Sequence, residues 1–360
     1  MEQQKNGSTI WNDNRKVLLV AAGLGAVLIG RKIVQHLREI DLRGQVVLIT
    51  GGSRGLGFLL AREFAREGCR LVICARKEEE LKRAQEDLER EGAKVLAIKC
   101  DVSDRLEVER LVDRATGHFG RIDILVNNAG IIQVGPIGIM TVQDFENALN
   151  VMFWGVLYHI FAVLPQMLKR RSGRIVNITS IGGKVSVPHL IPYNCAKFAA
   201  VALSEGLRAE LAREGINVTT IAPGLMRTGS HLNALFKGDQ EGEFTWFSLG
   251  ASLPFVSMDA ERAARQIVKA TKRGESERIL SLPANILALF HGLFPGAIAD
   301  ILGLVNSILP GASGDRVDIS RGMDIQERIQ SRFLNTLTSL GLSAARRFNQ
   351  YSECTNKAEA

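Results

Sequence analysis

Cysteine is scarce in this chain, and its spacing does not suit pairing. The five residues are Cys69, Cys74, Cys100, Cys195 and Cys354. Their number is odd and no C-x-x-C pair occurs, which argues against a disulfide framework and against a zinc site. The histidines also lack metal-ligand spacing, so we predict no metal. A reducing compartment is the simplest interpretation.

Long runs of one charge are absent as well. The net charge of +7 is spread over 360 residues, and no five consecutive like charges occur. This argues against nucleic-acid binding and is compatible with anionic ligands or an anionic membrane surface. With 46% hydrophobic and 23% charged residues, the chain has enough apolar side chains for the core of a large folded domain.

Residues 17–30 form an uncharged hydrophobic stretch between Arg15-Lys16 and Arg31-Lys32. As a helix this stretch would be about 21 Å long, whereas a helix that crosses a bilayer usually needs ~20 residues, or about 30 Å. It could cross only if the flanking basic side chains extend outward to the bilayer surface. We predict a membrane anchor. A cleaved signal peptide, for which no small-x-small site is present, and a soluble packing helix are the alternatives.

From residue 45 to about residue 283, short β-branched runs alternate with longer amphipathic ones, which is typical of a parallel sheet with crossover helices. The predicted strands are residues 46–50, 70–75, 94–100, 122–127, 173–179, 217–222 and 278–282. We therefore predict an α/β fold, a single doubly wound parallel-sheet (Rossmann) domain over residues 41–283. An N-terminal hydrophobic segment (1–40) precedes it, and a C-terminal helical extension (284–360) follows it.

The extension begins with a second hydrophobic segment, residues 284–310, which contains one acid, Asp300, and no lysine or arginine. Pro295 and several glycines divide it, so we predict short helices in a hairpin that lies on the surface or covers a pocket. A pair of core helices is the alternative. Residues 325–351 have amphipathic helical spacing, with arginines that face lipid headgroups or water.

A glycine-rich loop, Thr50 to Gly57 (TGGSRGLG), follows the first predicted strand and precedes a helical stretch. Glycines permit the tight turn and let backbone N–H groups approach a pyrophosphate, which the positive end of the helix also attracts. The candidate dinucleotide contacts are Gly51, Ser53, Arg54, Gly55, Leu56 and Gly57. An ordinary strand-to-helix turn is the alternative.

The second predicted strand ends in Cys74-Ala75-Arg76-Lys77, where an NAD site would present an Asp or Glu to the ribose. No carboxylate follows directly to repel a 2′-phosphate, and Arg76 and Arg54 can form charge-assisted bonds to one. We therefore predict NADP(H). The alternative for Arg76 is a solvated helix start.

Tyr193 and Lys197 are four residues apart in a predicted helix and therefore share a face. A free tyrosine has a pKa near ~10, and a nearby ammonium favours its phenolate, so the pair suits acid/base catalysis. Ser180 follows the fifth predicted strand, at the sheet edge where ligands of such folds bind. Its hydroxyl is placed to hold the substrate oxygen.

Because these motifs occur together and in this order, residues 42–283 resemble the compact branch of the short-chain dehydrogenase/reductase family. The resemblance rests on the glycine loop, Asp101, Asn127-Asn128-Ala129-Gly130, Asn150, Ser180, Tyr193 with Lys197, and Pro223-Gly224 with Thr228. It implies that Asp101 and Val102 contact the adenine, that Asn128, Ala129 and Gly130 wall the adenosine site, and that Lys197 binds the nicotinamide ribose. It also implies that Asn150 positions a water for a proton relay and that Thr228 contacts the carboxamide. From the residues alone, Asp101 could be a helix cap, and Asn150 a polar residue on a helix face.

Together these features predict an NADPH-dependent oxidoreductase that interconverts a ketone or aldehyde and an alcohol. Residues 230–256 contain five aromatics, and we expect them to form a mobile lid over a lipophilic substrate. Related sugar-nucleotide epimerases and a membrane scaffold that only binds NADPH are the alternatives. NADPH supply and reduced cysteines favour a catalytic domain facing the cytoplasm. The resemblance implies a dimer or tetramer paired through residues 151–168 and 198–213.

Overall fold

The computed structural model describes residues 32–311, 318–329 and 331–351, together with Gly25 and Gly30. Apart from these two glycines, the predicted anchor at residues 17–30 lies outside the described residues. A helical run at residues 32–37 leads into the domain.

Seven parallel strands form the central sheet, as predicted. They are β1 Val46–Thr50, β2 Arg70–Ala75, β3 Lys94–Lys99, β4 Ile124–Asn127, β5 Gly173–Ile178, β6 Ile216–Pro223 and β7 Glu277–Leu280. Their order across the sheet is β3-β2-β1-β4-β5-β6-β7. The chain builds outward from β1 to β3 and then returns to the other side of β1. Ligands of such sheets bind where the order reverses, which here is between β1 and β4.

Helices cover both faces of this sheet. Within the described ranges they are α1 Gly55–Arg66, α2 Glu78–Arg90, α3 Arg105–Phe119, α4 Val142–Leu149, α5 Gly155–Arg170, α6 Ile191–Leu211, α7 Gln240–Ser252, α8 Ala260–Lys272, α9 Leu282–Leu293, α10 Pro295–Asn306, α11 Gly322–Ile329, α12 Arg332–Leu337 and α13 Ser339–Arg347. Apolar side chains of α1, α2 and α8 pack on one face, and those of α3, α5 and α6 pack on the other. Every residue of β1 is buried between the two layers, which explains why its sequence lacks polar alternation.

A π-helical turn, Asn150–Trp154, joins α4 to α5 into one helical run, Val142–Arg170. An 18-residue window of this run has a mean hydropathy of 1.6, so the run could cross a membrane by length and composition, but a core helix passes the same test. His159, Ile160 and Val163 of α5 are buried against the domain. The run therefore belongs to the layer that covers the sheet.

The hydrophobic segment after the sheet forms the predicted hairpin. Helix α9 ends before Pro295, which begins α10, because proline suits the first turn of a helix but not its interior. Ala284 is the single buried residue recorded for the two helices. The exposed apolar side chains are Leu282, Ile286, Leu289, Phe290, Leu293, Phe294, Ile301, Leu304, Val305 and Ile308. The alternative of two core helices is therefore wrong.

Residues 230–256, which we expect from the sequence to form a mobile lid, contain the packed helix α7. Three of their five aromatics, Phe236, Phe244 and Phe247, form a small core with Ile325 and Leu334 of the C-terminal extension. The sequence pattern could not show this, since the partners of the aromatics lie about 90 residues further along the chain. The extension also reaches the main core, where Ala344 and Phe348 pack with the cluster beside α1.

Candidate active site

One cavity of about 940 Å³ opens at the carboxyl ends of the strands, where the strand order reverses. Of the predicted site residues, all except Asn150 line it. The residues from the cofactor prediction are Gly51, Ser53, Arg54, Gly55, Leu56, Gly57, Arg76, Asp101, Val102, Asn128, Ala129, Gly130, Pro223, Gly224 and Thr228. Ser180, Tyr193 and Lys197 line the same space. The fold thus brings together residues that are spread along the sequence from Gly51 to Thr228.

Hydrogen bonds across the switch point fix the glycine loop. The hydroxyl of Thr50 accepts from the backbone N–H groups of Asn128 and Ala129, at 2.9 and 3.0 Å. The side-chain amide of Asn128 donates to the carbonyl oxygens of Thr50 and Gly51, at 3.0 and 3.2 Å. A Cβ at Gly57 would lie 2.1 Å from the oxygen of Gly51, so this position accepts only glycine.

The start of α1 fits the pyrophosphate of a dinucleotide. Arg54 is the N-cap residue but makes no side-chain cap, which leaves the first-turn amides of Leu56 and Gly57 available to an anion. The positive end of the helix dipole adds to this attraction. The narrow glycine cradle and the size of the cavity therefore suit a nicotinamide dinucleotide.

The charges at the adenosine end differ from the prediction in one respect. Sequence reasoning found no carboxylate there, but the buried Glu80 of α2 lines the cavity. It pairs with Arg54 at 3.2 Å and with Lys77 at 2.9 Å. Burial lowers the pKa of Arg54, and Glu80 partly offsets this effect. Arg76 and Arg321 also line the cavity, so four basic side chains accompany Glu80 there.

Asp101 follows β3 and does not cap the next helix. Its side chain accepts from the N–H and hydroxyl groups of Ser103, whereas Asp104 caps α3 through the N–H groups of Leu106 and Glu107. The helix-cap alternative for Asp101 is therefore wrong. Its carboxylate lines the cavity at the carboxyl end of β3.

Tyr193 and Lys197 lie in the first turns of α6, with the ammonium nitrogen of Lys197 5.7 Å from the centre of the tyrosine ring. That nitrogen donates to the carbonyl oxygen of Ile178, at the end of β5, at 2.8 Å. The hydroxyl of Ser180 accepts from the N–H of Gly182 at 3.0 Å. A Cβ at Gly182 would lie 3.2 Å from the Tyr193 ring and 3.4 Å from the Ser180 hydroxyl. Glycine thus lets the two groups face the same space.

The titration behaviour of this pair differs from the expectation. Burial raises the pKa of Tyr193 above its ordinary value, and a hydrogen bond with Ser180 partly offsets this. Burial also lowers the pKa of Lys197 to about 8. The predicted lowering of the phenol pKa by Lys197 is therefore not found in the protein alone, because removal from water affects both groups more than their mutual attraction.

Asn150 is the predicted site residue that the structure places apart. It begins the π-helical turn, is exposed, and does not line the cavity, whereas the next residue, Val151, does. Such turns are frequent at functional sites because they shift the helix register. The proton relay through Asn150 stays a prediction.

The hairpin contributes to the site, in agreement with the predicted hairpin that covers a pocket, but sequence reasoning did not identify the residues that do so. Ser281, Pro283, Ala284 and Leu287, at the start of α9, line the large cavity. A second cavity of about 440 Å³ lies beneath α10, and Val187 lines both spaces. The predicted break at Pro295 was the available signal, but no pattern in the sequence shows which helix face turns toward the sheet.

A buried group at the ends of β2 and β3 was also missed. The sulfur atoms of Cys74 and Cys100 and a ring nitrogen of His159 lie within 4.8 Å of one another. Hydrogen bonding from Cys74 lowers the pKa of Cys100 to about 6, while that of Cys74 is raised. The three residues come from distant segments, so spacing could not reveal them. The absence of a resident metal stays a prediction.

Comparisons with known proteins agree with this geometry. A family model described as short chain dehydrogenase matches residues 45–235. A mosquito protein (Anopheles gambiae) named dehydrogenase/reductase SDR family protein 7-like is 35% identical over 289 residues, which are 78% of this chain and 89% of the relative. A putative ketoacyl reductase of granaticin polyketide synthase from Streptomyces violaceoruber is 37% identical over 185 residues, 51% of this chain and 68% of the relative. Among solved structures, a short-chain dehydrogenase from Streptomyces avermitilis matches with a TM-score of 0.64 and 28% identity, covering 73% of this chain and 98% of that one.

Proposed function

The chain belongs to the short-chain dehydrogenase family, and from that premise we propose that it is an NADPH-dependent reductase of a lipophilic ketone or aldehyde. The family consists of oxidoreductases that use nicotinamide cofactors. The observation that carries the proposal is the convergence of Ser180, Tyr193 and Lys197 on the cavity that the glycine loop borders.

A nicotinamide held by the glycine loop and Lys197 would supply the hydride that the carbonyl carbon of the substrate accepts. Ser180 holds the carbonyl oxygen by a hydrogen bond, and Tyr193 gives its phenolic proton to that oxygen as the alkoxide develops. The raised pKa of Tyr193 keeps this proton in place at neutral pH. Lys197 then favours the tyrosinate, and a proton from solvent restores the phenol.

The preference for NADPH is supported by the charges around the adenosine end. Glu80 would repel a 2′-phosphate, but Arg54 and Lys77 neutralise it, and Arg76 and Arg321 add further positive charge. Charge-assisted bonds from guanidinium groups to phosphate are strong and directional.

A lipophilic substrate is supported by the position of the hairpin. The start of α9 lines the catalytic cavity, while Leu289, Phe290 and Leu304 of the hairpin are exposed. An exposed apolar surface of this extent suits a lipid interface. We propose that the protein lies on a membrane through this hairpin, with the catalytic domain facing the cytoplasm, and that the substrate enters from the lipid.

A homodimer or homotetramer is also part of the proposal. Trp154 and Phe161 on one helix and Phe198 on α6 are exposed apolar side chains on the two segments through which we expect pairing. A second copy of the chain would cover them.

The experiment that tests the function follows NADPH oxidation in detergent with aldehydes and ketones of graded chain length. We expect turnover that rises with chain length. Tyr193→Phe should lower kcat by roughly 10²–10⁴-fold while NADPH still binds, because the ring stays and the proton donor is lost. Equal activity on small water-soluble ketones would contradict the lipophilic substrate.

The same experiment separates the alternatives. A scaffold that only binds NADPH would show binding without turnover on any carbonyl, and its biological role would survive Tyr193→Phe. An epimerase would act on a nucleotide sugar without net consumption of NADPH. Either result would replace the proposed reduction.

A further inference from the structure

The last described residues of the chain cross the phosphate-binding loop. Helix α13 ends at Arg347, and Asn349 adopts a left-handed conformation with φ of 57°, which turns the chain toward the cavity. Phe348 is buried in the main core and anchors this turn. The segment 348–351, the C-terminal strap, thus has a fixed course.

The first half of the strap bonds directly to the glycine loop. The carbonyl oxygen of Phe348 accepts from the N–H of Gly55 at 2.8 Å. The side-chain amide of Asn349 donates to the carbonyl oxygens of Ser53 at 2.7 Å and Glu80 at 3.2 Å. The strap therefore joins the loop that would hold the pyrophosphate to the helix that carries the adenosine-end acid.

Gln350 reaches the opposite side of the cleft. Its amide nitrogen Nε2 donates to the carbonyl oxygen of Thr228 at 3.1 Å, and its Oε1 accepts from Asn233 at 2.9 Å. The first bond fixes which end of the Gln350 amide is the donor, because a backbone carbonyl oxygen only accepts. Gln350 is 4% exposed and lines the cavity. Its side chain spans the cleft from Gly55 to Thr228.

Among the described residues, Gln350 has a partner for only one of its two amide N–H donors, at the place where a pyrophosphate would bind. An amide nitrogen carries two N–H groups, and Thr228 takes one of them. The same nitrogen lies 2.6 Å from where a Cβ of Gly55 would be, so it faces the first residue of α1. A neutral amide donates to phosphate oxygens without repelling them.

We infer that Gln350 is a cofactor-binding residue, which donates to the pyrophosphate from above while the start of α1 donates from below. The strap thus closes the middle of the dinucleotide site, and it slows cofactor release because Gln350 must move away first. This inference rests on the proposed use of a nicotinamide dinucleotide. It adds a binding residue that lies outside the part of the chain that matches the family model.

The test compares two ligands on the full-length protein. NADPH contains the pyrophosphate, whereas adenosine 2′-monophosphate occupies the adenosine end alone. Gln350→Glu keeps the shape but places a negative charge against the pyrophosphate, and Gln350→Ala removes the donor. Arg347→Ala is the matched control, because Arg347 directly precedes the strap and the change removes an exposed ion pair with Glu261 of α8.

We expect Gln350→Glu to raise the Kd for NADPH by about tenfold or more, and Gln350→Ala to raise it severalfold with faster dissociation. The Kd for adenosine 2′-monophosphate should be unchanged in both, and Arg347→Ala should match the unaltered protein with both ligands. Unchanged NADPH affinity in Gln350→Glu, tighter binding in Gln350→Ala, or equal loss of both ligands would each overturn the inference. Failure of the unaltered protein to bind any nicotinamide dinucleotide would instead contradict the proposed function.

Discussion

Among single residues, Lys197 occupies a position that lowers the stability of the protein. It is buried beside Tyr193, and its pKa of about 8 lies well below the ordinary value of 10.5. Below pH 8 the folded protein holds a poorly solvated ammonium, whose one described hydrogen bond goes to the oxygen of Ile178. The proposed catalytic role of Lys197 and the stability of the protein therefore make opposite demands on this residue.

We predict that Lys197→Met abolishes turnover and stabilises the cofactor-free protein by on the order of 3 kcal/mol at pH 7, since the pKa of Lys197 falls from 10.5 to about 8 and one pKa unit corresponds to about 1.4 kcal/mol. Between about pH 8 and 10.5 the unfolded chain binds a proton that the folded protein does not, so the unaltered protein gains stability as the pH rises. The advantage of the variant should shrink over that interval. Urea unfolding at pH 7 and pH 10 measures it, and an advantage that is the same at both values would contradict the explanation.

Arg76 is the residue on which the predicted preference for NADPH over NADH is tested. It is exposed, lines the adenosine end of the cavity and makes no described ion pair. We expect Arg76→Ala to raise the Kd for NADPH about tenfold and to leave that for NADH within twofold, because only NADPH carries the 2′-phosphate. Calorimetric titration of both cofactors measures this. Lys82→Ala, an exposed lysine on α2, is the control, and equal losses for both cofactors would contradict the role of Arg76.

At the level of elements, the hairpin α9–α10 connects the catalytic cavity to an exposed apolar surface. We predict that Leu289→Glu combined with Leu304→Glu raises KM for long-chain carbonyls presented in vesicles by about tenfold, because the surface that contacts lipid becomes charged. kcat/KM for a short soluble ketone should stay within twofold, since neither residue lines the cavity. Leu106→Glu, at an equally exposed leucine on α3, is the control. Equal effects on both substrates would contradict delivery through the hairpin.

The elements also show how far the sequence could predict the structure. The seven strands were found within two residues at each end, because buried parallel strands form continuous apolar runs between turn residues. The glycine loop and the Tyr193–Lys197 pair depend on local spacing, which a sequence contains directly. Gln350 and the partners of Phe244 were missed because each reaches its place by a long-range contact that no local pattern records. Glu80 was missed because the sequence does not show which residue in the first turn of α2 faces the cavity.

At the scale of the whole molecule, the α4–α5 run and the neighbouring helix α6 expose aromatic side chains that a second copy of the chain could cover. Trp154 and Phe161 are 42% and 59% exposed, and Phe198 of α6 is 39% exposed. These segments flank the proposed catalytic residues Tyr193 and Lys197, so association through them would support the site from outside. A stable interface of this kind buries roughly 1,200–2,000 Å² in total.

We predict that Trp154→Glu combined with Phe161→Glu converts the proposed oligomer to monomers, since charges without partners are costly in a buried interface. Sedimentation velocity in detergent should show a single slower species and at least about a hundredfold weaker association. Phe255→Glu, at a phenylalanine that is 93% exposed on another part of the surface, should leave the oligomer intact. A monomeric unaltered protein would contradict the proposed dimer, and a variant that stays oligomeric would show that pairing uses another face.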